Sequence, residues 1–396
     1  MLASPGPLLE NISLMMPMLQ GLNLANNLMN GSVPKSLSNL KYLSHLDLSN
    51  NMFSGNIPKS LCNSKSLAFL DLSNNMLSRS IANCWRNDQS LYYIDLSSNN
   101  LSGLFLSTMA RLSSLIMLHL NNNSLHRGLH VTLKNFTSVV ILDLGENKFS
   151  ENLTSIVAGE ISNHSLKILQ LRKNLIFGYI PLELCSLSQL QILDLADNNL
   201  IGRIPPCFGK FLIMVNATQF IQDMYDLYWN EATLMEVVKG RYLEFTKTLR
   251  FQISIDISSN NLIGSIPKEL IFLKDLHNLN LSWNHLLGQI PEKIGQMENL
   301  ESLDFSKNGL SGTIPNNMSS LTKLSHFNLS YNNLSGLVPT GYQLQTLEDP
   351  TMYTGNPQLC GAPFLKKCSN DALPPTTANF KEMMIVHLKE CSFTLL

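Results

Sequence analysis

Charge is scarce in this chain. Only 14% of its 396 residues are Asp, Glu, Lys or Arg, and the 28 cations nearly cancel the 29 anions. That balance excludes a strongly basic nucleic-acid binder, while 44% hydrophobic content excludes a disordered tail. Long apolar runs are also missing. Nothing approaches the roughly 18 consecutive apolar residues needed to span a bilayer; the best stretches, Phe211 to Val215 and Met383 to Val386, are far too short. No Lys or Arg precedes Lys35, so the charged start of a secretory signal is not seen. The chain therefore reads as lacking both export signal and anchor, as a truncated form of a longer protein would. Catalytic signatures are lacking too: there is no Walker loop, kinase set or G-x-S-x-G elbow. His126 and His130 have i, i+4 spacing but no intervening Glu of the H-E-x-x-H kind, and no zinc site is expected there. The expectation is a non-enzyme with no cofactor or metal.

Two residues are present in excess, with 73 Leu and 43 Asn. Such a bias signals an internal repeat. Aligning "LDLSNN" from Leu46 and Leu70 with "IDLSSNN" from Ile94 gives the unit L-x-x-L-x-L-x-x-N-x-L-x-G. Its Asn falls at Asn27, Asn51, Asn75, Asn99, Asn123, Asn147, Asn174, Asn198, Asn260, Asn284, Asn308 and Asn332. The step is 24 residues except for one of 27 and one of 62, so twelve coils are expected with one insertion of 38 residues. Within each coil, alternation points Leu46 and Leu48 one way and His45, Asp47 and Ser49 the other. Stacked coils then form a parallel sheet with an inner leucine column and an outward concave face. The ladder Asn satisfies backbone groups at the inward turn, and Gly31, Gly55 and their equivalents permit the bend beyond it.

Eight coils carry a Val-Pro or Ile-Pro pair six and seven residues past the Asn, among them Val33-Pro34, Ile57-Pro58 and Ile314-Pro315. The apolar member is expected to pack inward and the proline to hold an extended segment. Cys62 and Cys84 lie 13 before and 9 after Asn75; Cys185 and Cys207 hold the same places about Asn198. Identical phase in two separate coils predicts two disulfides, Cys62–Cys84 and Cys185–Cys207. A third, Cys360–Cys368, is expected within "LCGAPFLKKC", and three pairs imply an oxidising, extracellular compartment. Sequons at Asn11, Asn30, Asn100, Asn122, Asn135, Asn152, Asn163, Asn216, Asn317 and Asn333 support that reading, although an Asn-rich repeat also makes sequons by chance. Two more, at Asn280 and Asn328, fall on the concave strands, where a glycan would obstruct binding.

"SGTIPNNMSSLTKLSHFNLSYNNLSG" from Ser311 resembles the plant-specific leucine-rich repeat almost position for position. The resemblance runs from about Asn11 to Cys368 and is closest to plant receptor-like proteins, in particular the group of the xylanase-elicitor receptors. It implies an α/β-type solenoid: a right-handed leucine-rich repeat superhelix, or horseshoe, with a parallel concave sheet. The implied organisation is coils over 1–205, an island over 206–250, four further coils over 251–340, a cysteine cap over 341–370 and an irregular tail over 371–396. The first coil is incomplete and lacks a cysteine cap, so the natural array is expected to extend upstream. The aromatic-rich island resembles the one that precedes four final coils in that family. Where the family has Lys, five residues and Tyr, this chain has Lys239 and Phe245, so the aromatic contact is kept and the hydroxyl lost.

The expected function is ligand binding on the concave face, with specificity in outward positions that depart from the repeat consensus. These are Phe69, Tyr93, Met117, His119, Asn121, Ile141, Asp143, Ile168, Gln170 and Arg172, which are expected to face solvent and to contact an extracellular peptide, glycan or protein. Asp47, Asp71, Asp95, Asp143, Asp194, Asp256 and Asp304 recur as a solvated strip; His119 interrupts it, and its flanking carboxylates are expected to favour the protonated imidazole. By resemblance, the island, with Lys239, Tyr242 and Phe245, and the last coils would meet a co-receptor kinase of the somatic embryogenesis receptor class. The alternatives are a secreted inhibitor of a microbial cell-wall-degrading enzyme, against which the island argues, and an inert fragment. If the chain itself filled the hollow side, recognition there would fail.

Overall fold

The computed structural model describes residues 5–105, 109–129, 136–157, 165–220, 227–341, 343–344 and 349–368. Twelve parallel three-residue strands, from Gly21–Asn23 to His326–Asn328, form one sheet in coil order. The register is that of the repeat: His45 lies beside Phe69 and Phe69 beside Tyr93, while Asp47, Asp71 and Asp95 run in a parallel row. Every second side chain points inward. Leu46, Leu48, Leu70, Leu72, Leu118 and Leu120 are fully buried in a column running the length of the array. Each such burial contributes roughly 1.5–3 kcal/mol before chain entropy is counted, so stability accumulates coil by coil.

The Asn ladder explains why the coils keep phase. Asn51 donates its amide to the carbonyls of Leu24, Leu48 and Ser49 at 2.9–3.1 Å, and its Oδ1 accepts from Met29 N–H at 2.9 Å. Only a short side chain with both donors and an acceptor can do this; Asp has no donors. The same set recurs through Asn332, and a thirteenth rung, Asn356, donates to Leu329 and Tyr353 and accepts from Leu334 N–H. Sequence reading missed Asn356, although it stands 24 residues past Asn332. The residue before each rung is left-handed even when it is Trp283 (φ 53°) or Tyr331 (φ 54°), a conformation that such side chains rarely adopt and that the adjoining bonds enforce.

Past the ladder, the Ile-Pro pair behaves as expected. Ile57 is buried, Pro58 is extended at φ −61°, ψ 125°, and a short 3-10 turn Lys59–Asn63 follows on the convex side. Two flanking sheets of six and seven strands run beside the ladder. They stop at Ser124–Leu125 and resume at Phe177–Tyr179; the intervening coil carries a short helix, Leu153–Val157. Cys62–Cys84, Cys185–Cys207 and Cys360–Cys368 are bridged. At the C-terminal end, Gln358–Cys360 pairs with Asn333–Leu337, and Tyr353 packs edge-on against Phe327 and Phe364, covering the end of the leucine column.

Candidate functional site

The insertion determines what the concave face presents. Pro206–Lys210 and Leu212–Val215 still stack on the convex side, beside the turn Lys268–Phe272. From Leu227 the chain lies against the concave sheet instead, where it forms an antiparallel hairpin, Leu234–Val238 with Arg241–Phe245, turning at Lys239 and Gly240. Its first strand alternates: Leu234, Glu236 and Val238 face the sheet and are buried, whereas Met235 and Val237 are less so. Trp229, Ala232, Leu234 and Leu249 close over Phe69, Tyr93, Met117, Ile141, Ile168 and Ile192, making a second apolar core on the face that was expected to be open.

Polar bonds fix this seat. Gln170 donates to Met235 O at 2.7 Å, Asn278 to Val237 O at 3.1 Å, and Gln191 to the carbonyls of Leu249, Arg250 and Gln252. Tyr92 donates to Glu231, Tyr242 to Glu146, and Lys239 pairs with Glu301 at 3.0 Å. Phe245 lies half-buried against the second core, while Tyr242 is 45% exposed beneath Lys173. The three island residues singled out from sequence therefore hold the hairpin to the solenoid.

The ten concave residues expected to face solvent divide three ways. Met117, Ile141 and Ile168 are 0% exposed beneath the hairpin, which corrects the solvent-facing reading for them. Gln170 and Arg172 are also withdrawn from solvent. Arg172 bonds Asp194 at 2.7 Å, Asp256 at 2.9 Å and Asp197 at 3.4 Å, so its guanidinium is committed to three carboxylates of this chain. The remaining five, Phe69, Tyr93, His119, Asn121 and Asp143, line a cleft of about 590 Å³ between the concave face and the hairpin, but all except the half-buried Asn121 are buried in its walls, so the solvent-facing reading is corrected for them too. Composition alone gave no sign of the division, because the cover comes from a segment roughly 60 to 160 residues further along the chain.

Four of the seven aspartates in the strip are likewise not solvated, while Asp47, Asp71 and Asp304 are half-buried. Asp95, Asp143, Asp194 and Asp256 are all buried. Burial, then the charge of Asp95, pushes Asp71 up to about 7. Burial drives Asp143 well above the usual carboxylate range, against the hydrogen bond from Gly145. Asp256 stands at about 7 for the same first reason and then because of Asp194, since one guanidinium faces two deeply buried carboxylates. Glu236, sealed under the hairpin against the Ser254 hydroxyl, is pushed up to about 8 by burial. His119 reverses the expectation: burial lowers its pKa, and Asp95 only partly offsets this. The imidazole is neutral at pH 7, because desolvation outweighs the neighbouring charge.

Of the cleft walls, sequence reading missed Glu231 and Glu244 on the island side. Sequons differ in accessibility. Asn11, Asn30, Asn100, Asn122 and Asn333 are exposed, and Asn152, Asn216 and Asn317 are half-buried. Asn135 and Asn163 lie outside the described residues. Among the described residues no helix is long and apolar enough to cross a membrane.

Comparison with known proteins fits this geometry. The Leucine Rich Repeat family profile matches residues 42–64, 90–112, 189–211, 275–297, 299–321 and 323–343. Receptor-like protein 18 of Arabidopsis thaliana is 32% identical over 121 residues, covering 29% of this chain and 14% of the relative. Receptor-like protein 19 of the same plant is 36% identical over 128 residues, covering 29% and 13%. The matched stretch is thus a small part of those longer proteins, and the matches do not single out the xylanase-elicitor group. Among solved structures, the plant peptide hormone receptor RGFR1 in complex with RGF2 superposes with a TM-score of 0.61 at 25% identity, covering 90% of this chain and 57% of that one. The Arabidopsis receptor kinase HAESA, in complex with the peptide hormone IDA and the co-receptor SERK1, gives 0.51 at 26%, covering 90% and 64%. The chain is a leucine-rich repeat solenoid, similar over part of its length to plant receptor-like proteins.

Proposed function

We propose that this chain acts by recognition, as the ligand-binding ectodomain of a plant cell-surface receptor-like protein, and that its ligand is an extracellular peptide seated in the cleft between the coils of Asn51 to Asn147 and the hairpin. The observation that carries this reading is the cleft itself: its volume falls within the several-hundred-Å³ range of ligand sites, and the concave strands form one wall and the island the other. Peptide is favoured over glycan because the superposable receptors above are peptide-hormone complexes. The enzyme-inhibitor alternative needs a free concave face, whereas here the hairpin occupies coils from that of Tyr92 to that of Asn278.

Signalling is proposed to pass through a partner kinase of the somatic embryogenesis receptor class. It would meet the exposed hairpin edge around Tyr242, together with the last coils. Compartment is proposed as extracellular or cell-surface, with glycans at the exposed sequons Asn11, Asn30, Asn100, Asn122 and Asn333. The test is hydrogen exchange on the chain with a binder selected from a displayed twelve-residue peptide library. Protection of residues 91–97 and 231–245 is the expected result. Protection confined to the convex turns, such as 35–39 and 268–272, would sink the placement.

A further inference from the structure

The sign of the ligand can be read from the cleft, given the recognition reading above on which this rests. Six carboxylates line it, Asp71, Asp95, Asp143, Glu146, Glu231 and Glu244, and none of the described lining residues is Lys or Arg. Lys173 stands at the rim, already paired with Glu146 at 3.0 Å and lying over the Tyr242 ring. On the other half of the same strip, Arg172 neutralises Asp194 and Asp256 from within the chain. The repeat therefore has a way to supply an internal cation, and the cleft half does not use it.

Two further features point to a ligand rather than to a merely acidic surface. His119 is 2% exposed, it lines the cleft, and its Nε2 meets no donor or acceptor among the described residues. A buried nitrogen so placed costs free energy unless a group entering the cleft pairs with it. The aromatic wall is the second feature. His45, Phe69 and Tyr93 stack at centroid distances of 4.1 and 4.2 Å, and Phe69 and Tyr93 line the cleft beside Asp71 and Asp95. Carboxylates set beside aromatic rings are what a planar, weakly hydrated cation selects.

We propose that the cleft binds the cationic side chain of a basic peptide, with Asp71, Asp95 and Asp143 and the island's Glu231 and Glu244 surrounding a guanidinium or ammonium group. Arginine suits it better than lysine, since its planar fork can reach two carboxylates of neighbouring strands. Consecutive strands stand about 4.8 Å apart, close enough for one guanidinium to bridge them.

The test is calorimetric titration of the full chain at low salt with three probes: the blocked peptide Gly-Arg-Gly-Arg-Gly, its Glu counterpart, and spermidine. The expected result is that the Arg peptide binds at least tenfold more tightly than the Glu peptide, with affinity falling as salt rises. Asp95→Asn with Asp143→Asn should weaken it at least tenfold. This change keeps the fold, because Asn280 and Asn328 stand at the same strand position and accept the same turn bond from Ser282 and Ser330. The exposed pair Glu231→Gln with Glu244→Gln should weaken it several-fold, and Asp304→Asn, outside the cleft, should leave it unchanged. Binding of spermidine but not of the Arg peptide keeps the cation site and assigns it to a free polyamine. No preference between Arg and Glu peptides, or full affinity in the Asp95/Asp143 variant, overturns the inference. If a library-selected peptide still protects the cleft from exchange in that case, the recognition reading stands and only the ligand's charge is wrong.

Discussion

The same aspartate, at the same strand position, lives in two different environments. At Asp194 and Asp256 the chain answers its own charge with Arg172 and covers it with the hairpin. At Asp71, Asp95 and Asp143 no cation stands among the described residues, and a cleft is left. One half of the concave face is finished internally, whereas the other is left as an acidic cleft. A repeat consensus fixes where a side chain points. The insertion decides whether that side chain becomes core or site.

Breaking the closed half should have the largest effect. Arg172→Ala leaves Asp194 and Asp256 buried with no cation, and a loss of about 3–5 kcal/mol is expected, read from urea denaturation at neutral pH. A loss below about 1 kcal/mol would mean that these carboxylates are hydrated after all.

Detaching the cover comes next. Trp229→Ala removes the largest island side chain from the second core; about 3 kcal/mol should be lost, but locally. Exchange should speed up across residues 234–245 while the coil strands keep their protection. Uniform acceleration everywhere would show that hairpin and solenoid unfold as one unit.

The pH profile sharpens the contrast without mutation. Asp71 and Asp256 at about 7, Glu236 at about 8 and Asp143, raised well above its usual range, all keep protons in the folded state that the unfolded chain has released. Each carboxylate therefore lowers stability as pH rises from its unfolded value near 4 through its folded value. His119, His277 and His326, all lowered by burial, act oppositely, but only below about 6.5, above which imidazole is neutral in both states. Between pH 6.5 and 8 the carboxylates act alone, so stability should fall by on the order of 2 kcal/mol. A flat or rising melting temperature over that window contradicts the burial of the strip.

The smallest effect belongs to the hairpin's outer tie. Lys239 and Glu301 are both more than a third exposed, and Lys239→Ala should cost no more than about 0.5 kcal/mol in denaturation. A larger loss would move the hairpin's anchorage from its apolar face to its tip.

Much of the fold could be read from the chain alone, because the information is local. The 24-residue phase gives the ladder, Ile-Pro gives the convex turn, and matched cysteine phase gives two disulfides. Asn356 was legible by the same spacing and was overlooked. What escaped is non-local. Gln170 meets Met235 across 65 residues, and the burial of Met117, Ile141 and Ile168 depends on Trp229 and Leu234, which no repeat pattern places. The direction of the shift at His119 was misjudged for the same reason, since two flanking Asp were visible in the sequence and the cover above them was not.

Carbodiimide labelling of carboxyl groups on the native chain, read by mass spectrometry, tests the seating of the hairpin most directly. Glu236 and Glu244 lie on its paired strands, one turned to the sheet at 1% exposure and the other exposed to solvent. Glu244 and Glu231 should label readily while Glu236, Asp194 and Asp256 stay unmodified until the chain is denatured. Equal labelling of Glu236 and Glu244 in the native state would contradict a hairpin packed on the concave face, and with it the cleft.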